Sequence, residues 1–297
     1  MCGIVGLFLK DKALEPQLGA LLTEMLITMT DRGPDSAGIA IYGAAGNRAK
    51  LTVQSDNPDQ DFATLAEELE AALGAPVTLR ANDTHAVLEL PADQVEAART
   101  AIADRPGRIR VMSDGDVIEI YKEVGLPRDV ASRFNLPAMS GTHGIGHTRM
   151  ATESAVTTEG AHPFSTGPDQ CLVHNGSLSN HNSLRRKLRR EGVRIESEND
   201  TEVGAAYLTW KMQNGASLGE ALEASLTDLD GFFTFVVGTK EGFGVVRDPI
   251  ACKPAVMAET DQYVAFGSEY RALVNLPGID AARVWEPEPA TVYFWSH

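Results

Sequence analysis

The second residue of the chain is a cysteine, and its place makes it a candidate nucleophile. Methionine aminopeptidase tolerates small second residues, so removal of Met1 would leave Cys2 holding a thiol and a free α-amine together. An unperturbed thiol titrates at about 8.5 and an α-amine at about 7.7 to 8.0. The amine can therefore serve as base for the sulfur, as the terminal amine does in N-terminal threonine hydrolases. The chemistry would be acyl transfer through a covalent thioester. A Cys after Met can equally be an incidental small residue, so the rest of the sequence has to supply the other parts of such a site.

Three further segments follow the opening Met1-Cys2-Gly3-Ile4-Val5-Gly6. They are Gly146-His147-Thr148-Arg149-Met150-Ala151-Thr152, Val173-His174-Asn175-Gly176 and Glu198-Asn199-Asp200-Thr201-Glu202. With Arg32-Gly33-Pro34-Asp35 they form a joint pattern that resembles the class II glutamine amidotransferase family. That family includes glutamate synthases, glucosamine-phosphate synthases and amidophosphoribosyltransferases. The resemblance covers residues 1–48 and 140–297. It implies an N-terminal-nucleophile (Ntn) hydrolase fold, a four-layer αββα sandwich of antiparallel sheets, and hydrolysis of glutamine by Cys2.

The resemblance also implies roles that suit the residue types. Arg149 presents a planar fork for the α-carboxylate of glutamine, Asp200 would accept from its α-ammonium, and Thr152 falls in the same substrate-binding segment. Asn175, through its side-chain amide, and Gly176, through its backbone N–H, would form the oxyanion hole. Each has a bland alternative: Asn-Gly is a hairpin signal, Asp200 could cap a helix, and Arg149 could pair with a surface carboxylate. Their co-occurrence in family order with Cys2 favours the functional reading. Among the departures from the pattern, beside Ala251 and Cys252 in place of a usual glycine-containing step, are Met150 where many relatives carry an aromatic and Glu153 where several carry histidine. Met150 and Glu153 both lie in the loop 149–163, which resembles a lid over glutamine. Arg247-Asp248-Pro249 with Lys253-Pro254, and Gly267-Ser268-Glu269, resemble shared family segments and read as architectural. His143, His147 and His174 could suggest a metal or a catalytic base, but no Cys or carboxylate completes a ligand set, so no metal and no cofactor is expected in this chain.

The elements that must position these residues follow from hydrophobic period and turn signals. Residues 3–9 read as a buried strand, 14–30 as a helix and 38–42 as a second strand. Residues 49–125 alternate as β-α-β-β-α-β, a ferredoxin-like order, and read as an inserted α/β subdomain in an amidotransferase domain of residues 2–48 and 126–297. Asn199 with Glu202, and Ser217 with Glu220, match capping boxes opening two helices. Arg185-Arg186-Lys187 with Arg189-Arg190 reads as a solvated helix face, or as a docking face for an acidic partner. After Gly231, runs such as FFTFVVG and YVAFG recur as antiparallel strands. The fold class is α+β, with sheets covered by helices.

Composition narrows the setting. The 297 residues carry 26 Lys and Arg against 41 Asp and Glu, a formal net charge of -15. That balance disfavours nucleic acid and anionic membranes as partners. Cys2, Cys171 and Cys252 form neither a metal spacing nor an even disulfide set, which fits a cytoplasmic protein. No apolar run has the length of a membrane span. No acceptor domain is legible after the last strand, so the ammonia acceptor is expected on another chain. The segment 141–150 and the position of the insert look closest to stand-alone subunits of glutamate synthase or N-methylglutamate synthase systems, whose partner chains carry FMN and iron–sulfur clusters in a hetero-oligomer. The rival readings are a catalytically silent assembly subunit and an Ntn amidohydrolase acting on another amide.

Overall fold

The computed structural model describes residues 2–105, 109–151 and 155–297. Along the chain, strand β1 (Gly3–Leu9) leads to helix α1 (Leu18–Thr28) and strand β2 (Ser36–Tyr42). Next come β3 (Ala49–Ser55), α2 (Pro58–Asp61), α3 (Leu65–Leu73), β4 (Thr78–Asn82), β5 (His85–Leu90), α4 (Val95–Ala103) and β6 (Ile109–Gly115). Then follow β7 (Ile118–Val124), α5 (Pro127–Arg133), β8 (His143–Arg149), β9 (Phe164–Gly167), β10 (Gln170–Leu178), α6 (His181–Arg190), α7 (Asp200–Gln213) and α8 (Leu218–Asp228). The remaining strands are β11 (Gly231–Thr239), β12 (Gly242–Arg247), β13 (Val256–Glu259), β14 (Tyr263–Gly267), β15 (Arg283–Trp285) and β16 (Thr291–Ser296).

Two antiparallel sheets make the body, one ordered β15-β13-β14-β1-β8-β2-β7 and the other β16-β12-β11-β10-β9. Side chains alternate across each strand, and the core divides accordingly. Ile4, Phe8, Ile145 and Phe266 of the first sheet meet Val173, Val236, Phe243 and Val245 of the second in one buried cluster. The opposite faces carry Val5, Leu7 and Ile39 under α1 and α5, and Leu172, Phe233 and Phe235 under α6, α7 and α8. The result is the four-layer αββα sandwich. Helix α7 is buried from Thr201 to Thr209, so it shows little amphipathic bias.

Strands β3 to β6 form a separate antiparallel sheet ordered β4-β5-β3-β6. With α3 and α4 it encloses its own core of Leu51, Val53, Leu65, Leu88 and Ile102, in the strand order of a ferredoxin-like split unit. Strand β7, grouped with the insert by sequence, instead pairs with β2 and completes the edge of the large sheet. Alternation alone names a strand but not its sheet. The helix expected over residues 14–30 is shorter, because residues 12–17 around Pro16 take a 3-10 turn before α1.

Local chemistry explains two further departures. Ser217 and Glu220 do form a reciprocal capping box at α8. At α7, Asn199 caps through the N–H of Thr201 at 2.9 Å, whereas the Glu202 carboxylate turns away to accept the N–H groups of Glu196 and Ser197 at 2.7 and 2.6 Å. The basic run on α6 is not uniformly solvated. Arg185 is 4% exposed and donates to Asn182 Oδ1 at 2.6 Å and pairs with Glu198 at 2.9 Å.

Candidate active site

Five sequence-selected residues, Cys2, Arg149, Asn175, Gly176 and Asp200, line one cleft of about 670 Å³. Thr152 lies outside the described residues. Cys2 sits just ahead of β1 and is held by its own backbone. Its carbonyl accepts from Asn175 Nδ2 at 3.2 Å and from Arg32 Nε at 3.0 Å. Arg32 in turn donates to Glu269 at 2.7 Å, and this guanidinium contact lowers the Glu269 pKa. Next door, Ile4 N–H donates to Ser268 Oγ at 2.9 Å. The Gly267-Ser268-Glu269 segment thus anchors the end of the strand that carries the nucleophile candidate.

Asn175 and Gly176 fall late in β10, whose neighbour β9 pairs with it only around residues 170–172. Beyond that point one edge of β10 is open to the cleft. The residue opposite Gly176 is Phe233, and the Phe233 carbonyl accepts from Asp248 N–H on the far side at 3.0 Å. The pair is therefore a non-hydrogen-bonded one, and the Gly176 N–H points away from β11. Leu178, two residues on, faces the same way and donates its N–H to Asp200 Oδ2 at 2.9 Å. Glycine is required here. Gly176 has φ +152°, and a Cβ would stand 2.0 Å from the Phe232 carbonyl oxygen.

Asp200 opens α7, and the Leu178 amide fixes its carboxylate at the helix start. Arg149 ends β8 and is 8% exposed. It donates Nη1 to the carbonyl of Ala155 at 3.3 Å. The Arg32-Gly33-Pro34-Asp35 segment braces this strand end, because Asp35 N–H donates to Arg149 O at 3.1 Å and Asp35 Oδ2 accepts from Ala151 N–H at 2.8 Å. Gly33 permits the approach, since a Cβ there would lie 2.4 Å from the Thr148 carbonyl carbon.

Around the cleft stand further polar residues, of which the sequence did not single out His162 or Lys122. Thr201 Oγ1 lies 3.2 Å from His174 Nδ1 and 3.2 Å from His162 Nε2. A hydroxyl has one proton and two lone pairs, so it can donate to one imidazole and accept from the other. His162 stacks on His147 at 4.1 Å. Burial lowers the pKa of all three histidines, that of His147 to about 3, so they stand neutral. Lys122 of β7 is buried beside them and donates to the carbonyls of Glu159 and Ala161 at 3.2 and 2.8 Å. Burial pushes its pKa down to about 8. The lysine ties down the segment that delivers His162. Lys253 also lines the cleft, at the end of a turn in which Asp248 accepts the N–H groups of Ile250 and Ala251 at 3.0 and 3.2 Å. His143, by contrast, is elsewhere, stacked on Tyr42 at 4.0 Å.

The glutamine amidotransferase domain family matches residues 147–275. The glutamine amidotransferase-like protein GlxB of Rhizobium meliloti (strain 1021) is 68% identical across 100% of this chain and 99% of its own length. A putative glutamine amidotransferase of Methanothermobacter thermautotrophicus is 36% identical, covering 98% of each chain. In fold, the chain is similar to glutamine phosphoribosylpyrophosphate amidotransferase from B. subtilis, with a TM-score of 0.63 at 19% identity over 99% of this chain and 47% of that one. Sequence likeness over the full length, together with the shared fold, shows that the chain belongs to the class II glutamine amidotransferase family.

Proposed function

We propose that the chain is the glutaminase subunit of a two-part synthase, using Cys2 to release ammonia from glutamine. The observation that carries this reading is the meeting of Cys2, Asn175, Gly176, Arg149 and Asp200 in one cleft. With Met1 removed, the Cys2 amine takes the thiol proton as sulfur attacks the glutamine Cδ. The carbonyl oxygen becomes an oxyanion between the second N–H of the Asn175 amide and the outward N–H of Gly176. Collapse of the tetrahedral intermediate breaks the C–N bond, and the terminal ammonium returns the proton to departing ammonia. Water, deprotonated by the neutral amine, then cleaves the γ-glutamyl thioester to glutamate and restores the thiol.

Arg149 and Asp200 select a free α-amino acid by reading both charged ends. Their effect is on binding more than on chemistry, which gives a direct test. Asp200→Asn and Arg149→Lys should each raise the glutamine KM about 10- to 100-fold, the range of one charge-assisted contact, with a smaller change in kcat. Glutamine analogues lacking the α-amine or the α-carboxylate should be hydrolysed as poorly by the native chain. Equal turnover of such analogues would point to another amide as substrate.

The ammonia would pass to a partner of glutamate synthase or N-methylglutamate synthase type, whose chains would carry FMN and iron–sulfur clusters. The sequence segment 141–150 supports that assignment. Affinity purification of the tagged chain from its native host should recover a flavin-containing iron–sulfur protein in fixed ratio. Recovery of the chain alone, with full glutaminase activity, would remove the synthase assignment and leave the glutaminase one standing.

A further inference from the structure

A second cavity, of about 200 Å³, lies on the seam between the inserted sheet and the amidotransferase body. Its walls are both charged, and the body wall carries Lys122 and Arg194 beside its glutamates. Arg99 of α4 and Arg110 of β6 line the insert side, while Glu159, Glu196 and Glu202 line the body side. Two other cations at the seam have partners of their own. Lys122 holds the carbonyls described above, and Arg194 Nη2 lies 3.7 Å from Glu96.

Opposite charges facing one another ordinarily close into ion pairs. Among the described residues none crosses this gap from Arg99 or Arg110. Arg99 Nη1 pairs with Asp114 at 2.7 Å, and Arg110 Nη1 meets Gln54 Oε1 at 2.8 Å and Asp56 at 3.2 Å, all within the insert. On the other wall Glu202 accepts backbone amides of its own loop. The insert is also joined to the body at one end. The Asp169 carboxylate accepts the N–H groups of Asp116, Val117 and Ile118 at 2.8, 2.8 and 3.1 Å. Its own N–H donates to Asp114 O at 2.8 Å. The turn after β6 is thereby fixed on the turn before β10.

We propose that this seam binds a free α-amino acid as an effector, its carboxylate on Arg99 and Arg110 and its ammonium on the glutamate wall. A simple anion would face three carboxylates, and a simple cation would face three guanidinium groups and the Lys122 ammonium. A small zwitterion satisfies both walls with the donors and lone pairs their own partners leave over. The insert, which the family pattern does not explain, acquires a purpose. Glu159 and Ser197 line both this cavity and the active-site cleft. Glu159 adjoins Gly160, against which Arg149 lies, and Ser197 stands just ahead of Asp200. A ligand at the seam therefore presses on both ends of the glutamine clamp. The regulatory half of this proposal rests on the glutaminase reading, and the binding half does not.

The test is calorimetric titration of the full chain with glycine, L-aspartate and L-glutamate, using propionate and ethylamine as single-charge controls. Native protein is compared with Asp200→Asn, which disables the cleft, and with Arg110→Gln and Glu196→Gln, which alter accessible seam side chains. At least one amino acid should bind with one equivalent retained in Asp200→Asn, and about tenfold or more weakly in each seam variant. The two controls should not bind. Loss of all amino-acid binding in Asp200→Asn, indifference to both seam variants, or no binding at all would each overturn the site. In the native chain, a seam-binding amino acid that does not itself occupy the cleft should shift the glutamine KM about threefold or more. Binding with an unmoved KM would overturn the effector role, while absence of any glutamine hydrolysis would instead indict the glutaminase reading.

Discussion

Cys2→Ala should lower glutamine hydrolysis by about 10⁴-fold or more, because the covalent route is closed and only binding and the oxyanion donors remain. Glutamate release measures it. The substitution removes one half-buried sulfur at a position held by its backbone carbonyl, so the melting temperature should change little. The loss should exceed that of Asn175→Ala, for which removal of one oxyanion donor costs about 10²- to 10³-fold. That second variant has an added consequence, since Asn175 also holds the Cys2 carbonyl. A native-sequence chain whose α-amine is blocked by a retained residue should fall with Cys2→Ala, because the thiol loses its base. Full activity in that blocked form would remove the amine from the mechanism even with Cys2 intact.

The parts of this site that were legible in sequence are those set by local chain chemistry. Cys2 follows Met1 just ahead of an apolar strand and Asp200 follows a capping asparagine, so both could be placed from their neighbours, whereas Asn175 and Gly176 were marked by the family resemblance. What could not be read was long-range pairing. Thr201 joins His162 to His174 across 39 and 27 residues, and Arg32 reaches Glu269 across 237. No periodicity encodes such contacts. Strand β7 shows the same limit, because its alternating residues suit either sheet until β2 is seen to take it. Glu202 had the spacing of a capping box, yet its carboxylate finds two amides of the preceding loop and the box does not form. Arg185 looked solvated beside four other basic residues, but the helix turns it inward to Asn182 and Glu198. Spacing states what a side chain can reach, and tertiary competition decides what it takes.

The second large effect is on stability in mild acid. His85, His143 and His147 are buried on different elements, and burial lowers each pKa to about 3. Lys122 and Arg133 add repulsion at His85, and His297 does so at His143. A histidine whose folded pKa lies below its unfolded value of about 6.5 is neutral in the native state but charged in the unfolded one. Its contribution is therefore fully present above about pH 6.5 and is lost progressively as pH falls toward 3. Each such group lowers stability by about 1.4 kcal/mol per pH unit in that window, so three together give a slope near 4 kcal/mol per unit. His162 and His174 shift in the same direction and steepen it. Asp114, whose carboxyl is raised by burial, opposes the trend, but one group does not offset three. A domain with about 5 to 15 kcal/mol of total stability should thus unfold between roughly pH 5 and 3.5. Urea midpoints measured at pH 7.5, 6.5, 5.5 and 5 should dip slightly between the first two and then fall steeply. His143→Phe, which keeps a ring against Tyr42 while removing one of these five titrating groups, should flatten the descent by about a fifth. A midpoint independent of pH from 7.5 to 5 would mean that these imidazoles are not held neutral by the fold.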